Sequence, residues 1–541
     1  MNELISRRRF ISLLSAGVLA ACTTPLSTEP GSLATPTSEA KGTPQSTAPL
    51  PVVNTRTPST PPLSPTEGVP TRRQTSKPNI IFILTDDLDA QSMESMPQLK
   101  ANLIDRGLKF TNSLYNFPLC CPCRTGILTG MCAHNSRIYG NSGEEGGYQK
   151  ILEYGLEKNA LPVWLQAAGY RTMLVGKYLN GYPGGKKKTH ENPIPPGWSE
   201  WYASTGATSQ GFNYTLNENG KTIAYGDKAD EYATDVFSRK AQDFITRSTN
   251  QKQPFFFFIS TNAPHSPSVP APRHAKMFAE VKAPRLPSFN EEDISDKPWT
   301  LQALPKLTEQ EIVKIDENYR LRLQSLQAVD EMIADLIQQV RKLGIEDSTY
   351  IFFASDNGYH LGQHRLPNGK AGIYEEDICV PLIVRGPGVP EGKSMNALVG
   401  NIDFAPTFAE LAGAKVPVSV DGRSLVPLFK GSVPNTWRQA YLIERGALVA
   451  IPPMPTTKPA KLPKGATWSQ GIRTAWYTYV EHTTGERELY DLKHDPYQLE
   501  NIAAKTSRDF LQQLSERVAQ LRRGKGSAFR SVEDLAVPVY T

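Results

Sequence analysis

The sequence predicts an α/β fold in which a large, mostly parallel central sheet is flanked by helices, with a smaller C-terminal antiparallel sheet and helix. Apolar runs of strand length alternate with segments of helical spacing over about 330 residues. Most of these runs are apolar at nearly every position, as expected of parallel strands covered on both faces. From about residue 438 the pattern changes to short strands separated by turns. These observations predict one large α/β sheet followed by a small antiparallel subdomain.

The alternating pattern fixes the order of the elements. Strands of the large sheet are predicted at 79–85, 170–175, 254–260, 349–354 and 379–384. Helices are predicted at 96–106, 308–343 and 403–411, with another ending near residue 168. Asp403 is predicted to cap its helix, and the proline-rich stretch from 261 to 305 is predicted to be surface loop. The C-terminal subdomain is predicted to hold strands at 440–444, 474–482 and 486–492 and a helix at 507–522.

Residues 1–22 are typical of an export signal. Ser6-Arg7-Arg8-Arg9-Phe10-Ile11 leads into an apolar run that ends at Ala21 and is too short to span a bilayer. The arginine run resembles a bacterial twin-arginine signal, and Leu19-Ala20-Ala21-Cys22 resembles a lipoprotein cleavage box. A plain secretory signal with an incidental cysteine is the alternative. The sequence therefore predicts an exported lipoprotein, anchored at Cys22 on the outer face of the cytoplasmic membrane or in the periplasm.

Residues 23–76 contain 31 Pro, Ser or Thr in 54 positions and no aromatic residue. Such a segment cannot bury enough apolar surface to offset the entropy of folding, so we predict a disordered tether. It precedes a catalytic domain at 77–437 and a C-terminal subdomain at 438–541. The formal net charge is +5, of which residues 1–76, with seven Lys or Arg against four Glu, hold +3. The folded part is nearly neutral, so no nucleic-acid partner is expected.

Four of the six cysteines lie between Cys120 and Cys132. An exported protein is allowed disulfides, but this spacing is poor for a framework of disulfide staples. A pairing of Cys132 with Cys379 is left open. A zinc site is disfavoured, because zinc sites use separated ligand pairs.

Polar residues follow the predicted strands at their carboxyl ends, where ligand sites form in such sheets. Because all of these ends meet at one rim, we expect the following side chains to converge: Asp86, Asp87, Lys177, His265, Asp356 and Asn357. The two adjacent aspartates and the Asp-Asn pair offer only oxygen ligands, which select Ca²⁺ or Mg²⁺ over zinc. Capping of the next helix by Asp86 and Asp87 is the purely structural alternative.

Cys120 lies just ahead of a predicted helix start, since Pro122 is tolerated in a first helical turn. The helix N-terminus and Arg124 both favour negative charge at this position. The sequence therefore predicts an anion-binding pocket around residue 120, next to the cation.

The segment Cys120-Cys121-Pro122-Cys123-Arg124, followed by Leu128-Thr129-Gly130, resembles the C-x-P-x-R signature and trailing L-T-G of the type I sulfatases of the alkaline phosphatase superfamily. Further family motifs occur in the same order over most of residues 77–503: Asp86-Asp87, Gly176-Lys177, Ala263-Pro264-His265, Ser355-Asp356-Asn357-Gly358 and Lys370, then Asp421-Gly422-Arg423-Ser424-Leu425 and Glu488-Leu489-Tyr490-Asp491-Leu492. The branch that holds N-acetylglucosamine-6-sulfatases, extracellular endosulfatases and arylsulfatases is most similar, on these stretches: Cys120-Cys121-Pro122, Gly176-Lys177-Tyr178-Leu179-Asn180, Gly197-Trp198 with Trp201, and Asp356-Asn357-Gly358-Tyr359-His360.

The resemblance implies an alkaline-phosphatase-like fold and a sulfatase that hydrolyses sulfate monoesters, on carbohydrates such as N-acetylglucosamine-6-sulfate or on aryl sulfates. Cys120 is then converted to formylglycine by a formylglycine-generating enzyme, and one hydroxyl of the aldehyde hydrate is the nucleophile. The implied Ca²⁺ ligands are Asp86, Asp87, residue 120, Asp356 and Asn357. Arg124, Lys177 and Lys370 neutralise charge on the sulfuryl group, and His265 protonates the leaving alcohol.

The resemblance also implies that Lys177, Asn180, His265, His360 and Lys370 bind the substrate. Some sulfatases carry a histidine two positions after the lysine that matches Lys177, where this chain has Leu179. The base for the elimination step is therefore open, with His134 and His360 as candidates.

Two rival functions are weighed against a sulfatase. A formylglycine-dependent phosphomonoester or phosphonate ester hydrolase would use the same cation and the same positive groups. An inactive glycan-binding surface lipoprotein is a rival of another class, which the complete set of metal and anion residues disfavours.

Overall fold

The computed structural model describes residues 77–184, 192–206, 210–380, 382–446 and 468–539. The predicted export signal at 1–22, its anchor Cys22 and the predicted tether at 23–76 lie outside these residues. The described residues belong to one compact unit, and the boundary proposed between 437 and 438 stays a prediction. No helix within the described part of the chain is both long enough and apolar enough to cross a membrane.

A ten-stranded mixed sheet forms the centre of the protein. Its strands are β1 (Asn79–Thr85), β2 (Leu108–Phe110), β4 (Arg171–Gly176), β5 (Glu200–Ser204), β6 (Tyr214–Glu218), β7 (Lys221–Tyr225), β8 (Phe255–Ser260), β9 (Thr349–Ser355), β12 (Leu382–Arg385) and β13 (Lys393–Met395). Two short ribbons pair β3 (Ser113–Leu114) with β14 (Val399–Gly400) and β10 (His360–Leu361) with β11 (Asn368–Gly369). The spatial order of the large sheet is β13-β2-β12-β9-β1-β8-β4-β5-β6-β7.

The five strands from β9 to β5 in this order run parallel, and antiparallel pairs lie towards both edges. The register aligns the carboxyl ends at the centre, because Thr85 pairs with Ser355 and Ser260 pairs with both Leu84 and Gly176. The predicted large, mostly parallel sheet is confirmed, and the residues that follow these four strands start from one rim.

Helices cover both faces of the sheet. They are α1 (Pro97–Leu99), α2 (Cys120–Thr129), α3 (Ala133–Ser136), α4 (Tyr148–Glu153), α5 (Leu161–Ala167), α6 (Ala233–Asn250), α7 (Trp299–Gln302), α8 (Glu309–Lys342), α9 (Glu375–Ile378), α10 (Phe404–Ala412), α11 (Arg508–Arg523) and α12 (Ser527–Glu533). Alternation along β1 divides the core: Phe82 packs against Phe404 and Phe408 of α10, and Ile81 and Ile83 belong to the cluster under α6 and α8.

The predicted C-terminal subdomain is also confirmed as an antiparallel sheet with a helix. Its strands are β15 (Ala440–Arg445), β16 (Ser469–Thr474), β17 (Tyr477–His482) and β18 (Arg487–Asp491), in that spatial order. Leu514 and Leu521 of α11 lie in one buried cluster with Ile472 and Tyr479 of the sheet. The side chain of Ser507 caps α11 by accepting from the backbone N–H of Phe510.

Three local predictions need correction. The helix predicted at 96–106 is α1 followed by a wider π-type turn at Lys100–Ile104. Asp403 does not cap α10 with its side chain, because its carboxylate binds Arg438 and backbone N–H groups outside that helix. The stretch from 261 to 305 is not all surface loop, since Ser288 and Lys297 are buried.

Candidate active site

The two predicted aspartate segments meet at the rim. Asp86 and Asp87 follow β1 directly, and Asp356 and Asn357 follow the neighbouring β9. The backbone N–H of Asp356 donates to Thr85 O at 3.0 Å, and the backbone N–H of Asp87 donates to Asp356 Oδ1 at 3.2 Å. All three carboxylates are nearly inaccessible to solvent, at 0–2% exposure. The structure therefore brings together the predicted oxygen ligands.

Three cations lie against these carboxylates. The Nζ of Lys177 contacts Asp86, and the Nζ of Lys370 contacts Asp87. Arg124 donates from Nε to Asp356 Oδ2 at 2.7 Å. Each buried carboxylate is thus paired with a cationic side chain, which offsets the free-energy cost of removing its charge from water.

The cations decide the ionisation of the acids. Burial by itself raises the pKa of Asp86, but Lys177 and His265 outweigh it and lower that pKa to about 2. Burial likewise raises the pKa of Asp87, and Lys370 and His265 reverse the shift, so that this pKa is lowered. Both carboxylates are therefore ionised at neutral pH, as ligands of a metal ion must be.

Cys120 is the first residue of α2 and is completely buried. Its Sγ lies 2.9 Å from Lys370 Nζ and 3.7 Å from Asp86 Oδ1. Burial raises the pKa of the Cys120 thiol to about 12, although Lys177 and Lys370 lower it. A neutral thiol is a poor nucleophile, so unmodified Cys120 is unsuited to attack a substrate by itself.

Arg124 connects three elements of the site. One turn after Cys120 on α2, its Nη1 donates to Lys177 O at 3.0 Å and to Ser260 Oγ at 2.7 Å, at the end of β8. Within the described part of the chain its Nη2 has no hydrogen-bond partner, and it lies 3.8 Å from Asp86 Oδ2. The guanidinium therefore fixes the carboxyl ends of β4 and β8 while keeping one N–H pair free.

The rim residues fit a hard cation. One ligand atom from each of Asp86, Asp87, Cys120 and His265 lies within 4.8 Å of the others. The Nδ2 of Asn357 donates to Asp87 Oδ1 at 2.7 Å, whereas its buried Oδ1 has no hydrogen-bond partner among the described residues. A buried carbonyl oxygen that lacks a donor is suited to a cation, and the carboxylates supply the hard ligands that Ca²⁺ or Mg²⁺ prefers.

The open side of the cluster holds His265, which follows β8 and whose side chain is 33% exposed. The Nδ1 of His265 lies 2.7 Å from Ser266 O, so Nδ1 carries a proton, and Nε2 lies 3.8 Å from Asp87 Oδ2. The side chains of Lys177 and Lys370 are 14% and 15% exposed. These three residues are the members of the cluster that a bound ester can reach.

The other residues predicted to bind substrate or to act as the base are His360, Asn180 and His134, and each lies in a different environment. His360 is buried and its Nδ1 is hydrogen-bonded to Asp377, a residue that the sequence analysis did not select. Asn180 accepts from the N–H of Tyr148 through its backbone oxygen, and its buried Oδ1 has no partner. His134 lies elsewhere, with Nδ1 3.0 Å from Glu444 Oε2 and Nε2 3.2 Å from Gly524 O. Its ring nitrogens are therefore engaged away from the cluster.

The neighbouring cysteines take no part in the cluster. The backbone N–H of Cys121 donates to Asn141 Oδ1 at 2.9 Å, and the thiols of Cys121 and Cys123 are buried. Cys132 and Cys379 are both free, so the pairing left open by the sequence is not formed.

Three cations and a site for a hard ion around one buried residue suit a hydrolase whose ester substrate carries a tetrahedral anion. Comparison with known proteins agrees with this class. Residues 78–414 match the Sulfatase family model. The chain belongs to the sulfatase family and is a sulfuric ester hydrolase.

Two relatives and one solved structure illustrate the similarity. The N-acetylglucosamine-6-sulfatase of Homo sapiens is 35% identical over 481 residues, which cover 84% of this chain and 86% of that protein. The putative extracellular sulfatase Sulf-1 homolog of Caenorhabditis elegans is 40% identical over 388 residues, 69% of this chain, which spans only 53% of that protein. A solved structure in complex with its substrate D-glucosamine-2-N,6-O-disulfate has a TM-score of 0.67 and 25% identity, covering 85% of this chain and 99% of that one.

Proposed function

We propose that this chain removes sulfate from sulfated carbohydrates, with esters of the N-acetylglucosamine-6-sulfate class as substrates. The proposal further assigns formylglycine at position 120 as the nucleophile and one Ca²⁺ as the cofactor. The observation that carries the chemistry is the position of Cys120, whose Sγ lies between Lys370 and Asp86 at a helix N-terminus. The sugar class is supported by the relative named N-acetylglucosamine-6-sulfatase and by the glucosamine disulfate complex.

The proposed mechanism gives separate roles to the metal-binding residues, to residue 120 and to the two lysines. Asp86, Asp87, Asp356 and Asn357 would hold the calcium ion, which supplies charge stabilisation for sulfate oxygens. Formylglycine at 120 would supply a hydrated aldehyde: one hydroxyl would attack sulfur as the ester bond from sulfur to the alcohol oxygen breaks, and the second hydroxyl would then lose its proton to expel sulfate and restore the aldehyde. Lys177 and Lys370 remain charged: burial lowers the pKa of each lysine, but Asp86 and Asp87, respectively, outweigh burial and hold that pKa above its ordinary value. They can therefore compensate negative charge that develops on the sulfuryl group.

His265 is the proposed acid for the leaving alcohol. Its Nδ1–H donates to Ser266 O, so Nε2 is the nitrogen that exchanges a proton on the open side of the cluster. Arg124 orients Asp356 and the backbone of Lys177 through its fixed hydrogen bonds. The roles proposed for His265 and Arg124 are supported by these hydrogen bonds and by the contact of His265 with Asp87.

The proposal includes two partners of the chain. A formylglycine-generating enzyme must reach Cys120 before folding is complete, because the folded chain leaves this residue no exposed surface. The chain is proposed to be exported, and its lipid anchor at Cys22 and twin-arginine route rest on the N-terminal sequence alone. A relative named as an extracellular sulfatase supports export, and a modified but folded precursor is compatible with that route.

The test is the mass of the peptide that contains Cys120, in protein produced together with a formylglycine-generating enzyme. Conversion of thiol to aldehyde lowers the mass, and turnover of an aryl sulfate should rise with the converted fraction. Cys120→Ala should abolish turnover, and Cys121→Ala is the matched control because its thiol is equally buried but outside the cluster. Full activity of Cys120→Ala would refute the mechanism.

Substrate class is tested by comparing esters. N-acetylglucosamine-6-sulfate should be hydrolysed with a higher kcat/KM than its 3-sulfate isomer. An aryl phosphate and an aryl phosphonate test the rival esterase, since the same cations would stabilise a phosphoryl group. A higher kcat/KM on either of those esters than on the aryl sulfate would replace the sulfatase assignment.

A further inference from the structure

A buried aspartate links two predicted site residues that are ten positions apart. Asp377 lies on α9 and is 1% exposed. Its carboxylate oxygens lie 3.0 and 2.9 Å from His360 Nδ1, and Oδ2 also accepts from the backbone N–H of Gly372 at 2.5 Å. We propose that Asp377 is a positioning residue that holds both the His360 ring and the loop carrying Lys370 in the arrangement required for turnover. This inference rests on the proposed sulfatase function.

The first half of the argument concerns the loop. β10 and β11 pair His360 with Gly369, and Lys370 follows immediately. The next residue, Ala371, has a φ of 69°, a left-handed conformation that is strained for an alanine. The N–H of Gly372 is then held by Asp377. A strained residue between Lys370 and this hydrogen bond indicates that the loop is held in place rather than relaxed.

Close approach at two glycines makes this arrangement specific. A Cβ on Gly372 would lie 2.1 Å from Asp377 Oδ2, and a Cβ on Gly369 would lie 2.6 Å from His360 Nε2. No larger residue fits at Gly372 without moving the carboxylate. The chain therefore uses glycine where the aspartate reaches the loop and where the imidazole packs on the ribbon.

The second half concerns the tautomer of His360. An ionised carboxylate only accepts hydrogen bonds, so the nitrogen facing Asp377 must carry the proton. In the neutral ring Nε2 is then the unprotonated nitrogen, the form that a base requires. Asp377 therefore fixes which ring nitrogen of His360 carries the proton and which one is left as an acceptor.

The same carboxylate reaches the reactive position through Lys370. The Nζ of Lys370 contacts Asp87 and lies 2.9 Å from Cys120 Sγ, so a displaced loop would withdraw positive charge from residue 120. Asp377 also accepts through its backbone oxygen from the N–H of Gly358, next to Asn357. One residue therefore ties the lysine loop, the histidine and the segment after β9 together.

The test uses Asp377→Asn and Gly372→Ala in the full chain, produced together with a formylglycine-generating enzyme. Asparagine keeps the shape but offers one acceptor oxygen for two donors. Gly372→Ala keeps the aspartate itself unchanged, but the added methyl group displaces the Asp377 carboxylate. Both variants should lower kcat/KM on an aryl sulfate about 10- to 100-fold, mainly through kcat, because Lys370 acts on charge that develops during the reaction.

Asp330→Asn is the matched control. Asp330 is buried on α8, and its carboxylate likewise holds two backbone N–H groups, those of Gln98 at 2.9 Å and Leu99 at 2.7 Å. Its replacement should lower the thermal midpoint as Asp377→Asn does, with kcat/KM unchanged. This comparison separates loss of stability from loss of positioning.

A spectroscopic measurement is independent of turnover. In ¹⁵N-histidine-labelled protein, the His360 resonances, assigned by their absence in His360→Gln, should report a protonated Nδ1 that gives way to a protonated Nε2 in Asp377→Asn. Reduced kcat together with this tautomer change supports the proposal. An unchanged His360 spectrum, or activity equal to that of Asp330→Asn, overturns it. If the wild-type protein hydrolyses no sulfate ester, the proposed function fails while the spectrum still tests the contact.

Discussion

The Nζ of Lys370 lies 2.9 Å from the Sγ of Cys120, so a cation from a loop after β11 touches the first residue of α2. The two residues are 250 positions apart in the chain, and only the folded sheet brings them together. Any group placed on residue 120 therefore reacts beside a fixed positive charge. The effect of this charge on activity can be measured by replacing Lys370.

Lys370→Ala should lower kcat on an aryl sulfate by about 100- to 1000-fold, the usual cost of removing one group that stabilises transition-state charge. Lys306→Ala is the control, since Lys306 pairs with Glu292 at the surface. Steady-state kinetics should show the loss in kcat rather than in KM alone. A Lys370→Ala variant with wild-type kcat would remove Lys370 from the mechanism.

Arg124→Lys should cost both activity and stability. A lysine has no planar fork, so it cannot bind Asp356, Ser260 and the backbone of Lys177 at once. Breaking this buried pair should lower the free energy of unfolding by about 3–5 kcal/mol, measured by urea denaturation. Arg273→Lys, at an exposed pair with Asp235, should cost less than about 1 kcal/mol. Equal losses in the two variants would contradict the role given to Arg124.

Metal removal should lower activity and the thermal midpoint together. Asp86, Asp87 and Asp356 repel one another, and the unpartnered Oδ1 of Asn357 lacks any other donor among the described residues. Adding Ca²⁺ at 100 times its Kd should stabilise the chelated protein by about 2.7 kcal/mol, read by calorimetry. Asn357→Ala should reduce that gain. A midpoint that does not respond to Ca²⁺ or Mg²⁺ would argue against a cation at this rim.

The convergence of the acidic residues at the rim could be predicted from the sequence for a physical reason. Parallel strands that share a register must end at one rim, so residues following β1, β8, β4 and β9 converge wherever the chain pairs those strands. Asp86, Asp87, Asp356 and Asn357 needed no further information. Lys370 was found only by resemblance to the family, because it follows a two-residue ribbon with no apolar pattern.

Residues that act through other residues were not predictable. Asp377 and Ser260 carry no pattern of their own, since their importance comes from contacts with His360 and Arg124 that depend on tertiary packing.

Strands β5 to β7 and helix α6 were also missed. β7 is largely exposed and only five residues long, so it lacks the continuous apolar run on which the buried strands were recognised.

His134 should make stability depend on pH. Burial lowers its pKa, but the carboxylate of Glu444 and the Gly524 carbonyl outweigh burial, so the pKa lies above the ordinary 6.5. The folded state then binds the proton more tightly than the unfolded state. Its stabilisation is full below pH 6.5 and is lost as pH rises through the folded pKa.

The difference in unfolding free energy between wild type and His134→Gln should therefore be largest in mild acid and shrink above neutrality. Each unit of pKa elevation accounts for about 1.4 kcal/mol of that difference. His494→Gln, at a surface pair in which the histidine side chain is 71% exposed, is the control for the substitution itself. Parallel pH profiles for wild type and His134→Gln would refute the assignment.

Asp403→Ala should be among the most destabilising single changes in the chain. Asp403 and Arg438 are both fully buried, and the guanidinium donates to the carboxylate at 2.5 and 2.8 Å. The same carboxylate accepts from the N–H groups of Gly400 and Arg423. Removing the carboxylate leaves Glu533 as the acid still paired with Arg438, and it leaves the N–H groups of Gly400 and Arg423 without this acceptor. The free energy of unfolding should fall by about 3–5 kcal/mol.

Urea denaturation of Asp403→Ala beside Asp243→Ala checks this expectation. Asp243 is exposed and pairs with Arg247 one turn away on α6, so its loss should cost about 0.5 kcal/mol or less. A small cost at Asp403 would mean that its contacts with Arg438 and the two backbone N–H groups add little to stability. A large cost would establish it as the acid that joins α12 to the chain before α10, through Arg438 and Glu533.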